Sequence, residues 1–222
     1  MNGSCLVLDF DGTILDTEIS IYSAWAELWD DHGHELELPV WQQNIGSEDV
    51  FDPWVELESR LGRPLDRALQ EQCAARQDQL LDGLVPRPGV LQWLSDAEAL
   101  GIPVGIASSS PSGWVERHLV RLGLRGHFSC VVCRSAEVPV KPNPTSYLVA
   151  CHRLGAHPLR SVAVEDSPHG IAAAVGAGLF TIATPHGLTL GLDLSAADII
   201  ANSLDAVALS DAFANASARN IP

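Results

Sequence analysis

The sequence of 222 residues has little positive charge and contains a single lysine, Lys141. Lysine and arginine together number 13 against 28 aspartates and glutamates, so the formal net charge is −15. A polyanion would meet repulsion from this chain where the release of counterions normally supplies affinity. We therefore expect neither a nucleic acid nor an anionic membrane as a partner.

Long apolar runs and a basic amino-terminal segment are also lacking. No run reaches the roughly 20 residues that a transmembrane helix needs, and residues 1–4 carry no positive charge, which argues against a secretory signal. The five cysteines are an odd number and do not suggest a disulfide scaffold. These absences favour a cytoplasmic protein. The length favours one main globular domain with an insert.

Short apolar segments from residue 88 onward alternate with helix-like patterns, which is typical of βα units on a parallel sheet. Together with an initial strand at 5–8, the predicted strands lie at 104–107, 128–133, 161–164 and 179–183. The predicted helices of this region lie at 112–124, 144–155 and 168–177, and a last helix follows residue 205. The fold class is therefore α/β.

Residues 17–86 interrupt this alternation. They show helical periodicity around 20–31, 50–61 and 66–82, contain no convincing strand, and hold four of the six tryptophans. We predict an α-helical insert at 17–86, placed after the first strand of a main domain formed by 1–16 and 87–222.

Polar residues follow the apolar segments at four places. Ligands of open parallel sheets bind beyond the carboxyl ends of the strands, so these residues are candidates for a common site. The groups are Asp9 with Asp11, Ser108 with Ser109, Lys141, and Glu165 with Asp166.

Each group also has a simpler interpretation. The Asp9–Asp11 pair could be ordinary surface acids in a turn, the serines could cap the following helix, and Glu165 and Asp166 could favour the next helix N-terminus. Lys141 is harder to explain in this way, because the chain uses arginine for every other obligate cation.

The four acids would repel one another if they met at one point. Two like charges about 4 Å apart repel by roughly 4 kcal/mol at an effective dielectric constant of 20. Oxygen ligands with open positions suit Mg²⁺, which commonly binds carboxylates together with a phosphate oxygen. Lys141 and the hydroxyl of Ser108 could then contact the same phosphate.

The four groups, in this order at strand ends, resemble the four motifs of the haloacid dehalogenase superfamily. The insert resembles the type 1 cap of its β-phosphoglucomutase-like branch. The resemblance covers essentially the whole chain and implies a Rossmann-like parallel-sheet core with helices on both faces, carrying an α-helical cap at 17–86.

The resemblance also implies roles for these residues. Asp9 would be the nucleophile that forms an aspartyl phosphate, and Asp11 would be the general acid and base. Mg²⁺ would be bound by Asp9, the backbone carbonyl of Asp11, Asp166, and Glu165 directly or through water. Ser108, Ser109 and Lys141 would hold the phosphoryl oxygens. Three further residues are candidates for recognising the leaving group of the substrate: Glu18, Gly46 and Trp54.

Several activities of the superfamily fit less well. Dehalogenases lack the second acid, which Asp11 supplies here, and phosphonate hydrolases use a cap lysine, which 17–86 does not contain. Sugar phosphomutases carry a histidine and a cap arginine where this chain has Ile21 and the acidic pair Glu48 and Asp49.

We therefore predict a Mg²⁺-dependent phosphatase whose partner is a small phosphomonoester such as a sugar or cyclitol phosphate. A β-phosphoglucomutase-like hexose phosphomutase is the alternative, and a non-catalytic phosphate-binding regulatory protein is a third hypothesis. We expect a monomer by default, with a dimer as the alternative.

Overall fold

A computed structural model describes residues 3–46 and 51–219 of the chain. Its centre is a parallel sheet with strand order β3-β2-β1-β4-β5-β6. The strands are β1 (Leu6–Leu8), β2 (Val104–Ala107), β3 (Cys130–Val132), β4 (Val162–Glu165), β5 (Phe180–Ala183) and β6 (Ile199–Ile200). The α/β class and the parallel sheet are thus confirmed.

The predicted helices are present among the described residues, together with two that were not predicted, at Leu38–Trp41 and Val90–Leu100. Those before β2 are α1 (Thr17–Asp31), α2 (Leu38–Trp41), α3 (Pro53–Leu61), α4 (Arg67–Asp82) and α5 (Val90–Leu100). Those after β2 are α6 (Ser112–Arg121), α7 (Thr145–Arg153), α8 (Pro168–Gly176) and α9 (Leu209–Ala218). No strand occurs in 17–46 or 51–86, as the sequence predicts.

Alternation along β1 shows why helices cover both faces of the sheet. Successive side chains of a strand point to opposite faces. Leu6 and Leu8 join one hydrophobic cluster with residues of α5, α6 and α9, whereas Cys5 and Val7 join another with residues of α7 and α8. All four side chains are fully buried, which is the pattern of a sheet covered on both sides.

A further hydrophobic cluster lies in the insert. It is built on Trp29 and Leu57 and draws almost all its members from α1 to α4 and the loops between them, with Leu188 added from the main domain. The side-chain carboxylate of Glu27 on α1 pairs with Arg76 on α4 at 2.8 Å. The insert therefore has apolar packing of its own.

The loops that follow β1, β2 and β4 place the functional candidates. β1 is the centre of this arrangement, because it pairs with β2 on one side and with β4 on the other. The strand order reverses on either side of β1, and in such sheets ligands bind at the crevice beyond that point. No helix in 3–46 or 51–219 is long and apolar enough to cross a membrane.

Candidate active site

The predicted site residues meet at the carboxyl ends of the strands. A cavity of about 560 Å³ opens there, between the sheet and the helical insert. Six of the seven motif residues line it: Asp9, Asp11, Ser108, Ser109, Lys141 and Asp166. The seventh, Glu165, is fully buried beneath them.

Lys141 is buried among carboxylates, with only 2% of its surface exposed. Its ammonium forms an ion pair with Asp9 Oδ1 and donates to Glu165 Oε1 at 2.6 Å. Burial alone would lower the pKa of Lys141, but Asp9 and Glu165 outweigh it and raise that pKa above its usual value. Lys141 is therefore a protonated lysine directed at the nucleophile candidate.

Three buried carboxylates share one place. Asp9, Glu165 and Asp166 each offer an oxygen, and these oxygens lie within 4.8 Å of one another. Burial raises the pKa of Asp9 well above its usual value, Lys141 opposes the rise, and Glu165 and Asp166 add to it. Burial and the neighbouring carboxylates thus disfavour the ionised form of Asp9, and a further cation bound among the three acids would favour it again.

The oxygens of this cluster differ in how they are already bound. Asp166 Oδ2 is buried without a hydrogen-bond partner among the described residues. The carboxylate of Glu165 instead accepts bonds from Lys141, from the hydroxyl of Tyr147 at 2.6 Å, and from the Asp166 amide and the Ser167 hydroxyl. The residues thus fit a divalent cation, and Asp166 Oδ2, which makes no hydrogen bond and has His186 Nε2 at 3.7 Å, is the oxygen most available to it.

Asp11 points away from this cluster and is held by three donors. Its Oδ1 accepts from the hydroxyl of Thr17 at 2.7 Å and from the indole N–H of Trp114 at 2.8 Å. Its Oδ2 accepts from the hydroxyl of Ser110 at 2.6 Å. The predicted contact between a metal and the Asp11 backbone carbonyl remains a prediction.

The serines do not cap the helix that follows them. The residue before α6 is Pro111, and no side chain caps that end of the helix. Ser108 Oγ accepts from the Ser110 amide at 3.0 Å, and Ser109 Oγ accepts from the Lys141 amide at 3.2 Å. The capping interpretation is wrong for both serines, and their hydroxyls face the cavity region instead.

Glu165 and Asp166 precede α8 and are not part of its first turn. The residue that caps α8 is Ser167, whose hydroxyl accepts from the Gly170 amide at 3.1 Å. The carboxylates of Glu165 and Asp166 lie instead in the cluster with Asp9.

The helical insert supplies an aromatic wall to the cavity. The specificity candidates Glu18, Gly46 and Trp54 line it, and so do further side chains that include Trp25, Trp41 and Phe51. Trp29, in contrast, is buried in the hydrophobic cluster of the insert. Cavity lining and core overlap in the insert, since Trp41 lines the cavity and is also a buried member of that cluster. Glu48 and Asp49 lie outside the described residues.

The structure adds residues that the sequence argument missed. Arg87 donates to the carbonyls of Gly12 and Thr184, the latter at 2.9 Å, and so ties the end of the insert to the loop after β1. His186 lies with Nδ1 2.9 Å from Asp16 Oδ2 and Nε2 3.7 Å from Asp166 Oδ2.

Tyr147, Thr17, Ser110 and Trp114 were missed as well, although they contact predicted residues. A faint signal exists for Trp114, which lies four residues after Ser110 and so about one helical turn beyond it. Tyr147 and Thr17 carry no such signal, because their contacts depend on how α7 and α1 dock.

Comparison with known proteins agrees with this arrangement. The family model described as haloacid dehalogenase-like hydrolase matches residues 4–178. The protein YhcW of Bacillus subtilis is 37% identical over 187 residues, which cover 83% of this chain and 84% of YhcW. The fructose-1-phosphate phosphatase YqaB of Escherichia coli is 32% identical over 179 residues, which cover 78% of this chain and 92% of YqaB.

The fold also resembles that of a solved β-phosphoglucomutase from Clostridium difficile. The TM-score is 0.70 at 19% identity, over 97% of this chain and 99% of that one. At this identity the likeness concerns the fold alone.

Proposed function

This chain belongs to the haloacid dehalogenase-like hydrolases, and within that family we propose that it is a Mg²⁺-dependent phosphatase of small phosphomonoesters. The observation that carries the proposal is the contact of Lys141 with Asp9 beside the buried acids Glu165 and Asp166. That group offers a nucleophile, a fixed positive charge and a cation site at the floor of one cavity.

The first step transfers the phosphoryl group to the enzyme. A carboxylate oxygen of Asp9 attacks phosphorus, the bond to the leaving oxygen breaks, and Asp11 gives that oxygen a proton. Lys141 and the hydroxyl of Ser108 offset the negative charge on the phosphoryl oxygens, with Ser109 beside them.

The second step returns the enzyme to its starting state. Asp11, now ionised, takes a proton from water, whose oxygen attacks phosphorus and displaces Asp9 as a carboxylate. Inorganic phosphate is the product, and each proton given in the first step is recovered in the second.

Mg²⁺ would be held by Asp9, Asp166 and the Asp11 backbone carbonyl, with Glu165 acting through water because its oxygens are already bonded. Bound there, it would supply positive charge that draws phosphate and nucleophile together.

Residues 17–86 are proposed to act as a cap over a core of 1–16 and 87–222. The separate cluster around Trp29 and Leu57 supports that division. The cap wall pairs aromatic faces with Glu18, a combination suited to the apolar face and the hydroxyls of a sugar or cyclitol. YqaB, which is named for a sugar phosphate, is consistent with such a substrate.

The phosphomutase alternative is less well supported. A mutase has to hold a second phosphate in the cap, which requires positive charge there. The described cap residues that line the cavity include Glu18, Ile21 and Asp52 but no lysine or arginine. Conversion of one labelled hexose phosphate into another, followed by NMR without release of inorganic phosphate, would favour the mutase.

We also propose that the protein works in the cytoplasm. All five cysteines are free, including the buried pair Cys5 and Cys151 with their sulfur atoms 3.7 Å apart. Unpaired thiols this close fit a reducing compartment.

Release of phosphate from p-nitrophenyl phosphate, measured with Mg²⁺ and with a chelator, tests the proposal. We expect activity only with Mg²⁺, and a loss of about 10³-fold or more in Asp9→Asn, because the amide cannot act as the nucleophile. The control is Asp193→Asn, at an exposed position that does not line the cavity. An inactive wild type, or full activity in Asp9→Asn, would contradict the proposal.

A further inference from the structure

The indole ring of Trp114 lies beside the general acid and base candidate. Its N–H donates to Asp11 Oδ1 at 2.8 Å, across 103 residues of sequence. An indole N–H can only donate, whereas the hydroxyls of Thr17 and Ser110, which also contact Asp11, can donate or accept. Trp114 is therefore the one partner of the three whose bond to Asp11 has a fixed direction.

The two oxygens of Asp11 therefore differ in their hydrogen bonding. Oδ1 accepts from two donors, the indole N–H of Trp114 and the hydroxyl of Thr17, so a proton on Oδ1 would displace one of these bonds. Oδ2 faces Ser110, whose hydroxyl can turn to accept from it. The geometry thus leaves Oδ2 as the oxygen that can carry the transferable proton.

The ring of Trp114 is itself held on two sides. His118, one turn further along α6, packs edge-on at 4.5 Å between ring centroids. The guanidinium of Arg117 lies 5.3 Å from the centre of the ring and pairs with Asp78 on α4 at 3.2 Å. These contacts reach from the core to the cap helix, and they restrict the rotation of the indole.

We propose that Trp114 is a positioning residue that holds the Asp11 carboxyl group so that Oδ2 delivers its proton to the leaving oxygen. The inference rests on the proposed phosphatase function. In the step concerned, Asp9 forms the bond to phosphorus, and the electron pair of the breaking P–O bond goes to the leaving oxygen. That oxygen takes the proton from Asp11 Oδ2, and Asp11 becomes a carboxylate.

The dependence of the rate on the leaving group tests this role. An alkyl alkoxide needs a proton as it leaves, whereas p-nitrophenolate leaves readily without one. The parameter to compare is kcat/KM, because it covers only the steps up to formation of the phosphoenzyme. In Trp114→Phe, which keeps a ring and removes the N–H, kcat/KM for glycerol phosphate should fall about tenfold more than kcat/KM for p-nitrophenyl phosphate.

Trp93→Phe is the matched control. Trp93 is a buried tryptophan of the core whose N–H donates to the carbonyls of Leu204 and Val207, both at 3.0 Å. Its loss should lower the thermal stability and leave the ratio of the two kcat/KM values unchanged. An equal loss for both esters in Trp114→Phe would overturn the positioning role alone, whereas a wild type inactive on both would overturn the phosphatase function with it.

An NMR measurement tests the contact even if Trp114→Phe does not fold. The indole ¹H–¹⁵N signal of Trp114 should move upfield in Asp11→Ala, because its acceptor is lost, while that of Trp93 stays in place. An unchanged Trp114 signal would overturn the proposal.

Discussion

Lys141 shows how far one residue can be interpreted from sequence. Because Lys141 is the only lysine of the chain, the sequence predicts a specific role for it. The structure places its ammonium between Asp9 and Glu165. The fit of that ammonium against the ring of Tyr147, at 5.2 Å, could not be foreseen. It depends on how α7 packs on the sheet.

His118 is a buried residue with consequences for the pH dependence of stability. Its ring stacks on Phe10 at 6.2 Å between centroids and contacts Trp114. Burial lowers the pKa of His118, and the neighbouring Arg117 and Arg121 lower it further. The folded protein therefore favours the neutral imidazole.

Acidification should accordingly destabilise the protein through His118. Below about pH 6.5 the unfolded chain binds a proton at this residue that the folded chain does not, so the free energy of unfolding falls until the lower, folded pKa is passed. In His118→Phe this part of the pH dependence should disappear. Urea unfolding at neutral and mildly acidic pH measures it, with exposed His127→Gln as the control. The same acid sensitivity in His118→Phe would contradict the assignment.

Most elements of the fold follow from periodicity, and the exceptions have simple causes. β6 consists of two residues, Ile199–Ile200, which is too short for any alternation to show. α5 (Val90–Leu100) fills the segment after the insert, where we predicted no helix. Its buried face of Val90, Trp93, Leu94 and Ala97 has the spacing of an amphipathic helix. That signal was present in the sequence.

The loop at 44–46 is one of the places where the proposed cap touches the core. The hydroxyl of Ser109 donates to the Gly46 carbonyl at 3.3 Å, and a ring nitrogen of His169 lies 3.2 Å from the Ile45 carbonyl. Gly46 has a φ of +79°, and a Cβ added there would lie only 2.9 Å from the Cβ of Ser167 and closer still to its hydroxyl. This approach of the loop requires glycine.

Gly46→Ala should therefore lower activity. The added methyl pushes the loop from Ser167, and a displacement near 1 Å can reduce the rate by about 10²-fold. We therefore expect kcat/KM for the phosphatase reaction to fall by a factor of about 10 to 10². Gly33→Ala is the matched control, since Gly33 lies in the cap with a φ of +75° and no atom near an added Cβ. It should share the backbone strain and retain activity, and equal losses in both variants would argue against the contact.

For the whole molecule, the proposed division into cap and core predicts two packed units, each with its own hydrophobic packing. Leu57 of α3 is fully buried in the cap cluster, and Leu119 of α6 is fully buried in the cluster on one face of the sheet. The two clusters share no member, although Leu188 of 87–222 packs in the cap cluster. A substitution that disrupts packing in one unit should lower the local stability mainly of that unit.

Hydrogen exchange of two truncation variants would test that division. Leu57→Ala and Leu119→Ala should each cost about 2–5 kcal/mol of local stability. We expect faster amide exchange in α1, α3 and α4 for Leu57→Ala, with β1 and β4 still protected, and the opposite pattern for Leu119→Ala. Uniform loss of protection in both variants would mean that 17–86 and the rest of the chain form one cooperative unit.

Residue types and their spacing along the chain are enough to predict the parallel α/β core, the helices of 17–86, and the acids, serines and lysine at the strand ends. Spacing is enough there because strands that end at one edge of a sheet bring the residues that follow them together. The donors that surround Asp11, and the hydrogen bonds that each oxygen of the acid cluster makes, depend instead on tertiary packing. Trp114 and Thr17 reach Asp11 only because α6 and α1 dock at fixed angles on the sheet, and no local pattern encodes a contact between residues 103 positions apart.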